Sequence, residues 1–246
     1  MKFTSISPDD AHHRCHVCGH WVDVVPSGFG DATCPACGTL LWVFYPPSSE
    51  LRRMCDRLRC NPSAIRTDAK TGSWQIDLSN TDLTDDDLKK VCELSPVSEL
   101  LISGTEITDR CLETLLTLQQ LEVLEVEETE LSAWALSQFH QLKTLEVLGV
   151  ADTNANDAVL QAWHGLSKLW CLDLDGTLIS NFGVEQIQQF PRLEWLFLSR
   201  TDVNDSGLAF LKKLRRLERL DLYETSVTDR GIFKLQRACR RCEVNR

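Results

Sequence analysis

A threonine recurs at Thr81, Thr105, Thr129, Thr153, Thr177, Thr201 and Thr225, always 24 residues apart and without an insertion across seven units. A register held that long restricts the chain to stacked supersecondary units. A unit of this size cannot bury its own apolar face, so it must share a core with its neighbours.

The remaining positions of the unit obey the same register. Before the threonine the pattern is L-x-x-L-x-L, as in Leu121, Leu124 and Val126 or Leu193, Leu196 and Leu198. Its alternating end predicts a short strand with one apolar side. Three residues after each threonine stands Thr84, Thr108, Ser132, Asn156, Ser180, Asn204 or Thr228. Each is a residue whose side-chain oxygen can accept an orphan N–H at a helix start. Thr84-Asp85-Asp86-Asp87 resembles a capping box with Asp in place of Glu. Three apolar sets follow at helical spacing: Leu88, Leu112, Leu136, Leu160, Val184, Leu208 and Ile232; then Val91, Leu115, Phe139, Trp163, Ile187, Leu211 and Leu235; then Leu94, Leu118, Leu142, Leu166, Phe190, Leu214 and Ala238. Ser73 stands where the first leucine belongs, which makes unit one a cap. Ala155 replaces Ile or Val in unit four and is expected to thin the core there.

These units resemble the leucine-rich repeats of the 24-residue TxITDxGL class found in planctomycete and other bacterial proteins. LLISGTEITDRCLETLLTL (100–118) and LDLYETSVTDRGIFKL (220–235) carry the resemblance best. It implies an α/β solenoid of about seven strand-helix units, with the strands on a concave face that binds other proteins. It also implies that the threonines satisfy turn backbone groups where other repeats use an asparagine ladder.

The first 45 residues differ in kind. Of 37 leucines only four precede residue 74, while Cys15-x-x-Cys18 and Cys34-x-x-Cys37, each followed by glycine, stand 15 residues apart. Two such pairs supply four thiolates for one tetrahedral ion, and the glycines relieve the tight turns. The segment resembles a zinc ribbon. Cys15, Cys18, Cys34 and Cys37 are the expected ligands of a structural Zn2+, with a rubredoxin-like iron as the alternative. A closed four-thiolate shell leaves no open position for catalysis, and the ion replaces the core that so short a segment cannot build. His12, His13, His16 and His20 read as polar surface around it. The expected organisation is a zinc-ribbon module at 1–45, a basic connector and N-cap helix at 46–72, and a solenoid with its C-terminal cap at 73–246. Within the connector a short helix is expected from Ser48 to Cys60, where Asn61-Pro62 stops it.

Eleven cysteines without an apolar leader point to metal and free thiols, and to the cytoplasm. The longest apolar run, Leu40 to Tyr45, is far below the roughly 20 residues of a membrane span. The net charge of −10 is uneven: residues 74–190 carry 5 basic and 21 acidic side chains. Such a field repels phosphate and argues against nucleic acid on the array.

By register the concave face carries Glu125, Glu127, Asp173 and Asp175, with Trp195, Phe197 and Tyr223 in the last two full units. Exposed aromatics beside acidic groups suggest a site for a protein partner with a basic segment. The leading reading is therefore a non-enzymatic interaction scaffold of unassigned oligomeric state. An alternative is a regulator contacting nucleic acid through residues 1–72. The last is a phosphatase, because Asp173-Leu174-Asp175-Gly176-Thr177 matches a DxDGT nucleophile motif. That match is weak, since Leu172, Leu174, Thr177 and Ile179 are already accounted for by the repeat. Cys239-x-x-Cys242 lacks the knuckle glycine and is expected at surface positions of the last unit. The purified protein should contain about one zinc per chain. Chelation should unfold residues 1–45 and leave the array intact; metal-free protein with all four thiols freely titratable would refute the assignment.

Overall fold

The computed structural model describes residues 13–14, 21–22, 31–33, 40–42, 49–60, 64–68, 71–94 and 96–246. The four expected metal ligands lie outside the described residues. Two antiparallel pairs come first, β1 (His13–Arg14) with β2 (Trp21–Val22) and β3 (Asp31–Thr33) with β4 (Leu40–Trp42). The helix α1 (Ser49–Leu58) follows. Nine strands then lie side by side in chain order: β5 (Ile65–Thr67), β6 (Trp74–Asp77), β7 (Val97–Leu101), β8 (Val123–Glu125), β9 (Val147–Gly149), β10 (Cys171–Asp173), β11 (Trp195–Phe197), β12 (Arg219–Asp221) and β13 (Glu243–Asn245). All neighbours are parallel except β5, which runs antiparallel to β6.

One short helix per coil returns the chain behind the sheet: α2 (Asp85–Cys92), α3 (Leu112–Leu115), α4 (Ala133–Ser137), α5 (Asp157–Ala162), α6 (Asn181–Gln186), α7 (Asp205–Leu211) and α8 (Asp229–Gln236). A 24-residue coil leaves room for little more than two helical turns, so the caps count for much. Six of the seven expected cap side chains accept a backbone N–H of their own first turn. Thr84 differs: its hydroxyl donates to Asp87 Oδ2 at 2.7 Å. Burial alone would raise the Asp87 carboxyl, but Arg57 and Thr84 hold it below its ordinary value.

Parallel register places Ile76, Leu100, Leu124, Leu148, Leu172, Leu196 and Leu220 in one row, each at most 1% exposed. The helical rows meet it from behind. At the start of the array Met54 and Leu58 of α1 enter the same core. At the other end the expectation fails. Ala238 is exposed, and Cys239 and Cys242, expected at the surface, are 7% and 5% exposed. Between α8 and β13 the chain turns these small apolar thiols inward onto the core; Cys239 Sγ lies 3.7 Å from the Leu211 carbonyl. Burial pushes the Cys242 thiol up to about 12. In unit four Ala155 is buried, and the same unit supplies the largest fully buried side chain, Trp163, whose Nε1–H donates to the Leu136 carbonyl of unit three at 2.8 Å.

Every threonine hydroxyl of the register donates to the carbonyl three residues earlier, at 2.5 to 2.8 Å. These bonds stay within one turn; they satisfy loop carbonyls without forming a ladder between coils. The residue before each of the seven threonines, namely Asn80, Gly104, Glu128, Asp152, Gly176, Arg200 and Glu224, adopts positive φ. For the non-glycines this conformation costs roughly 1–2 kcal/mol each.

The coils are joined on the helical side by a second device. The first helical residue of one coil grips the N-cap of the next: Asp85 accepts from the Thr108 N–H and hydroxyl, Asp109 from Ser132, Asp157 from Ser180 and Asp205 from Thr228. Asn181 accepts from the Asn204 N–H. In three of these joints a glycine lies against the gripping side chain, while Cys111 and Ala135 hold that position opposite Asp85 and Asp109. A Cβ on Gly183, Gly207 or Gly231 would collide with Asp157, Asn181 or Asp205. Coil four instead has Val159 at this position, and there the gripping residue of coil three is Ala133. Asp157→Ala should cost about 1–2 kcal/mol. Gly183→Ala should be destabilising in the native chain and less so when Asp157 is also alanine. Denaturant melts of the four chains read this coupling, and strict additivity would refute it.

Candidate functional site

Alternation along each strand sends every second side chain away from the core, so the sheet's solvent face is built from parallel columns. One column runs Gln75, Glu99, Val123, Val147, Cys171, Trp195 and Arg219; the next runs Asp77, Leu101, Glu125, Gly149, Asp173, Phe197 and Asp221. Beyond the strands Glu127, Ala151, Asp175, Ser199 and Tyr223 continue the pattern.

The structure divides the predicted site in two. Glu125 and Glu127 of coil three face Asp173 and Asp175 of coil five across Gly149 and Ala151. Glu127 and Glu125 lean over Gly149 into this interval: a Cβ there would meet Glu127 Oε1 at 2.6 Å and Glu125 Cγ at 3.3 Å. Two strand spacings separate the walls, roughly 10 Å. Among the described residues no ion pair reaches Glu125, Glu127, Asp173 or Asp175. Half-burial, then repulsion from Asp173, Glu125, Glu128 and Asp152, pushes the Glu127 carboxyl up to about 7. Burial likewise raises Asp173 to about 6, against the pull of the Asp175 N–H and with the neighbouring carboxylates adding to it. Glu125 and Asp175 are raised too, chiefly by burial.

The aromatic half is less open than the register alone implies. Trp195 is 39% exposed and packs edge-on against Trp170, with ring centroids 5.2 Å apart. Phe197 is half-buried beneath the Arg219 guanidinium, 5.2 Å from the ring centroid. Arg219 in turn donates to both Asp221 oxygens, at 3.2 and 2.9 Å, and Asn245 Nδ2 donates to Asp221 at 2.6 Å. Tyr223, 50% exposed, lies beyond the strand end in another column. Trp195 is thus the accessible aromatic of the strand face, while Phe197 is covered. Arg219 was legible from register, since it shares the Trp195 column. Trp170 stands one residue before its strand, where alternation gives no signal.

The residues matching a phosphatase motif have repeat-specific tasks. Asp173 Oδ1 accepts the Asp175 N–H at 2.9 Å, and Asp175 Oδ1 accepts the Ser199 N–H of the next coil at 2.6 Å. The Thr177 hydroxyl donates to the Leu174 carbonyl. Gly176, at φ 65°, leaves space above itself for the Asp152–Arg200 ion pair, which bridges coils four and six.

No protein-family profile matches the chain, and no curated protein does. Solved structures do. Internalin C2 from Listeria monocytogenes superposes with a TM-score of 0.54 at 20% identity, covering 70% of this chain and 79% of that one. An internalin (inlF) from the same organism gives 0.50 at 16% identity, with 70% of this chain and 52% of the other covered. These likenesses establish the leucine-rich-repeat solenoid as the fold. No helix among the described residues is long and apolar enough to cross a membrane.

The raised carboxyls make stability fall with pH. The folded chain holds protons on Glu127 that the unfolded chain releases from about pH 4.5, so this stability is present below that value and is lost as pH rises through about 7. Glu127→Gln should therefore raise the melting temperature at pH 8 relative to the native chain, and the gain should vanish at pH 4. Equal effects at both pH values would refute the repulsion.

Proposed function

We propose that the protein is a non-enzymatic interaction scaffold whose sheet face binds a basic segment of a protein partner. The gap between Glu125, Glu127 and Asp173 carries this reading. Those carboxylates converge above Gly149 and Ala151 without an ion-pair partner among the described residues, and Glu127 Oε1 stands directly over Gly149, so an incoming Lys or Arg would meet them at the open face of the sheet. A cation entering there relieves repulsion already present in the free protein, which is a source of affinity that an exposed surface pair lacks. Trp195, in the column beside Asp173 and one coil on, offers an apolar anchor to the same segment. The likeness to the two internalins supports the solenoid fold and is silent on the partner.

At the N-terminus the proposal includes a structural Zn2+ held by Cys15, Cys18, Cys34 and Cys37. Arg14 pairs with Trp21 and Thr33 with Leu40, so each CxxCG segment spans the connection between two antiparallel strands. That placement supports a zinc ribbon, and four thiolates fit a closed tetrahedral shell. The ion would supply cross-linking of the two pairs and no chemistry.

Titration calorimetry with a Lys/Arg-rich peptide tests the sheet-face site. Binding should weaken with salt and release protons near pH 6.5, because a bound cation lowers the carboxyl pKa values. Glu127→Gln with Asp173→Asn should abolish the proton release, and Trp195→Ala should cost about 2 kcal/mol. Binding unchanged in both variants would overturn the assignment. Retention of duplex DNA by residues 1–72 in the full chain would favour the nucleic-acid reading instead.

A further inference from the structure

The helical side carries large apolar side chains that no repeat position requires. Trp134 and Phe182, 63% and 76% exposed, occupy the second residue after the N-cap in coils three and five. Exposed Ala158 holds the same place in coil four between them, and α4, α5 and α6 pack in succession. Leu178, 68% exposed, precedes α6 in coil five. In other coils these columns carry Asp86, Arg110, Ser206, Arg230, Asp82, Glu106 or Asp202, so the ridge is a local departure from polar surface. Around it stand Glu130, Glu185 and Asp202, all exposed and none ion-paired among the described residues.

Two coils further along the same side lies a patch of opposite character. The solvent stripe of α8 is Arg230, Phe233, Lys234 and Arg237, at the spacing that aligns side chains on one helix face. Phe233 is 63% exposed, and among the described residues none of the three cations is ion-paired. Between ridge and stripe α7 presents Ser206 and Ala209, small exposed residues that do not block close approach.

We propose that this helical side is a self-complementary interface, on which the acidic-rimmed ridge of Trp134, Phe182 and Leu178 receives the Arg230–Phe233–Lys234–Arg237 stripe of a second copy of the chain. Both patches face outward on one side of a rigid array, so they cannot meet within a molecule. Two copies set face to face with opposed axes bring each ridge over the partner's stripe about a two-fold axis between α6 and α7. Every contact is then made twice, and the dimer closes. The apolar patches supply burial, and the charges select the antiparallel register over a parallel one that sets like against like. The sheet face takes no part, so the inference is independent of the function proposed above.

Sedimentation equilibrium of the full chain tests it. The native chain should form a concentration-dependent dimer, weakened by salt and by Phe182→Ala with Phe233→Ala. Reversing the rim (Glu130→Lys, Glu185→Lys, Asp202→Lys) or the stripe (Arg230→Glu, Lys234→Glu, Arg237→Glu) should weaken it about tenfold or more. All six positions are exposed, so circular dichroism should be unchanged. An equimolar mixture of the two reversed chains, or one chain carrying all six changes, should dimerise again. Trp195→Ala should leave self-association intact. A monomer at about 100 μM, a dimer indifferent to both reversals, a mixture that fails to restore it, or loss through Trp195→Ala would each overturn the proposal.

Discussion

Each coil closes on one hydrogen bond, from a threonine hydroxyl to the carbonyl three residues before it. The bond holds a left-handed residue just ahead of the threonine, and five of the seven such residues are not glycine. In four of the five the strain persists because the N–H group also donates to the next coil: Asn80 to Ser103, Glu128 to Ala151, Asp152 to Asp175 and Arg200 to Tyr223. With the turn held, the strand before it and the cap after it repeat at fixed distance. In-register columns on the sheet face are the outcome, and the carboxylate gap is one place where two such columns carry the wrong charges to be neighbours.

Sequence periodicity made most of this legible. The Thr register, the caps from Thr108 to Thr228 and the Leu rows all rest on local chemistry that recurs in every unit, and solid repetition separates such chemistry from chance. What escaped was relational. The grip of Asp157 on Ser180 joins residues 23 apart, and its close approach to Gly183 shows only when the Cβ position is placed in space. Cys239 and Cys242 lie in the turn between α8 and β13, where the repeat register gives no burial signal, yet both pack into the core. Phe197 was expected to be open because alternation gives the side of the sheet and says nothing of a neighbour such as Arg219 lying over it.

The sheet face and the helical face draw on the same asymmetry. Acidic residues concentrate in the middle coils and basic ones in the last two, with 13 Lys and Arg after residue 190. On the sheet side the middle coils face inward upon themselves, which leaves Glu127 and Asp173 partly protonated near neutrality. On the helical side the acidic rim and the basic end look the same way, where only another molecule can satisfy them. A single charge gradient along a stiff array thus yields two distinct recognition problems, one for each side.

The Asp-to-cap grip has a consequence for how such an array can grow. Each unit carries a half of two different fittings: the gripping residue it offers forward, and the small or branched residue with which it receives the unit behind. Units with Gly183, Gly207 or Gly231 follow a predecessor bearing Asp157, Asn181 or Asp205, and the small Cys111 and Ala135 follow Asp85 and Asp109, whereas the branched Val159 follows Ala133. Gene duplication that copied unit four behind unit one would set a branched side chain against Asp85, and the copy would seat poorly. The repeats are therefore not interchangeable beads. Their order is written into the joints, so the array lengthens without penalty only by copying blocks whose ends agree.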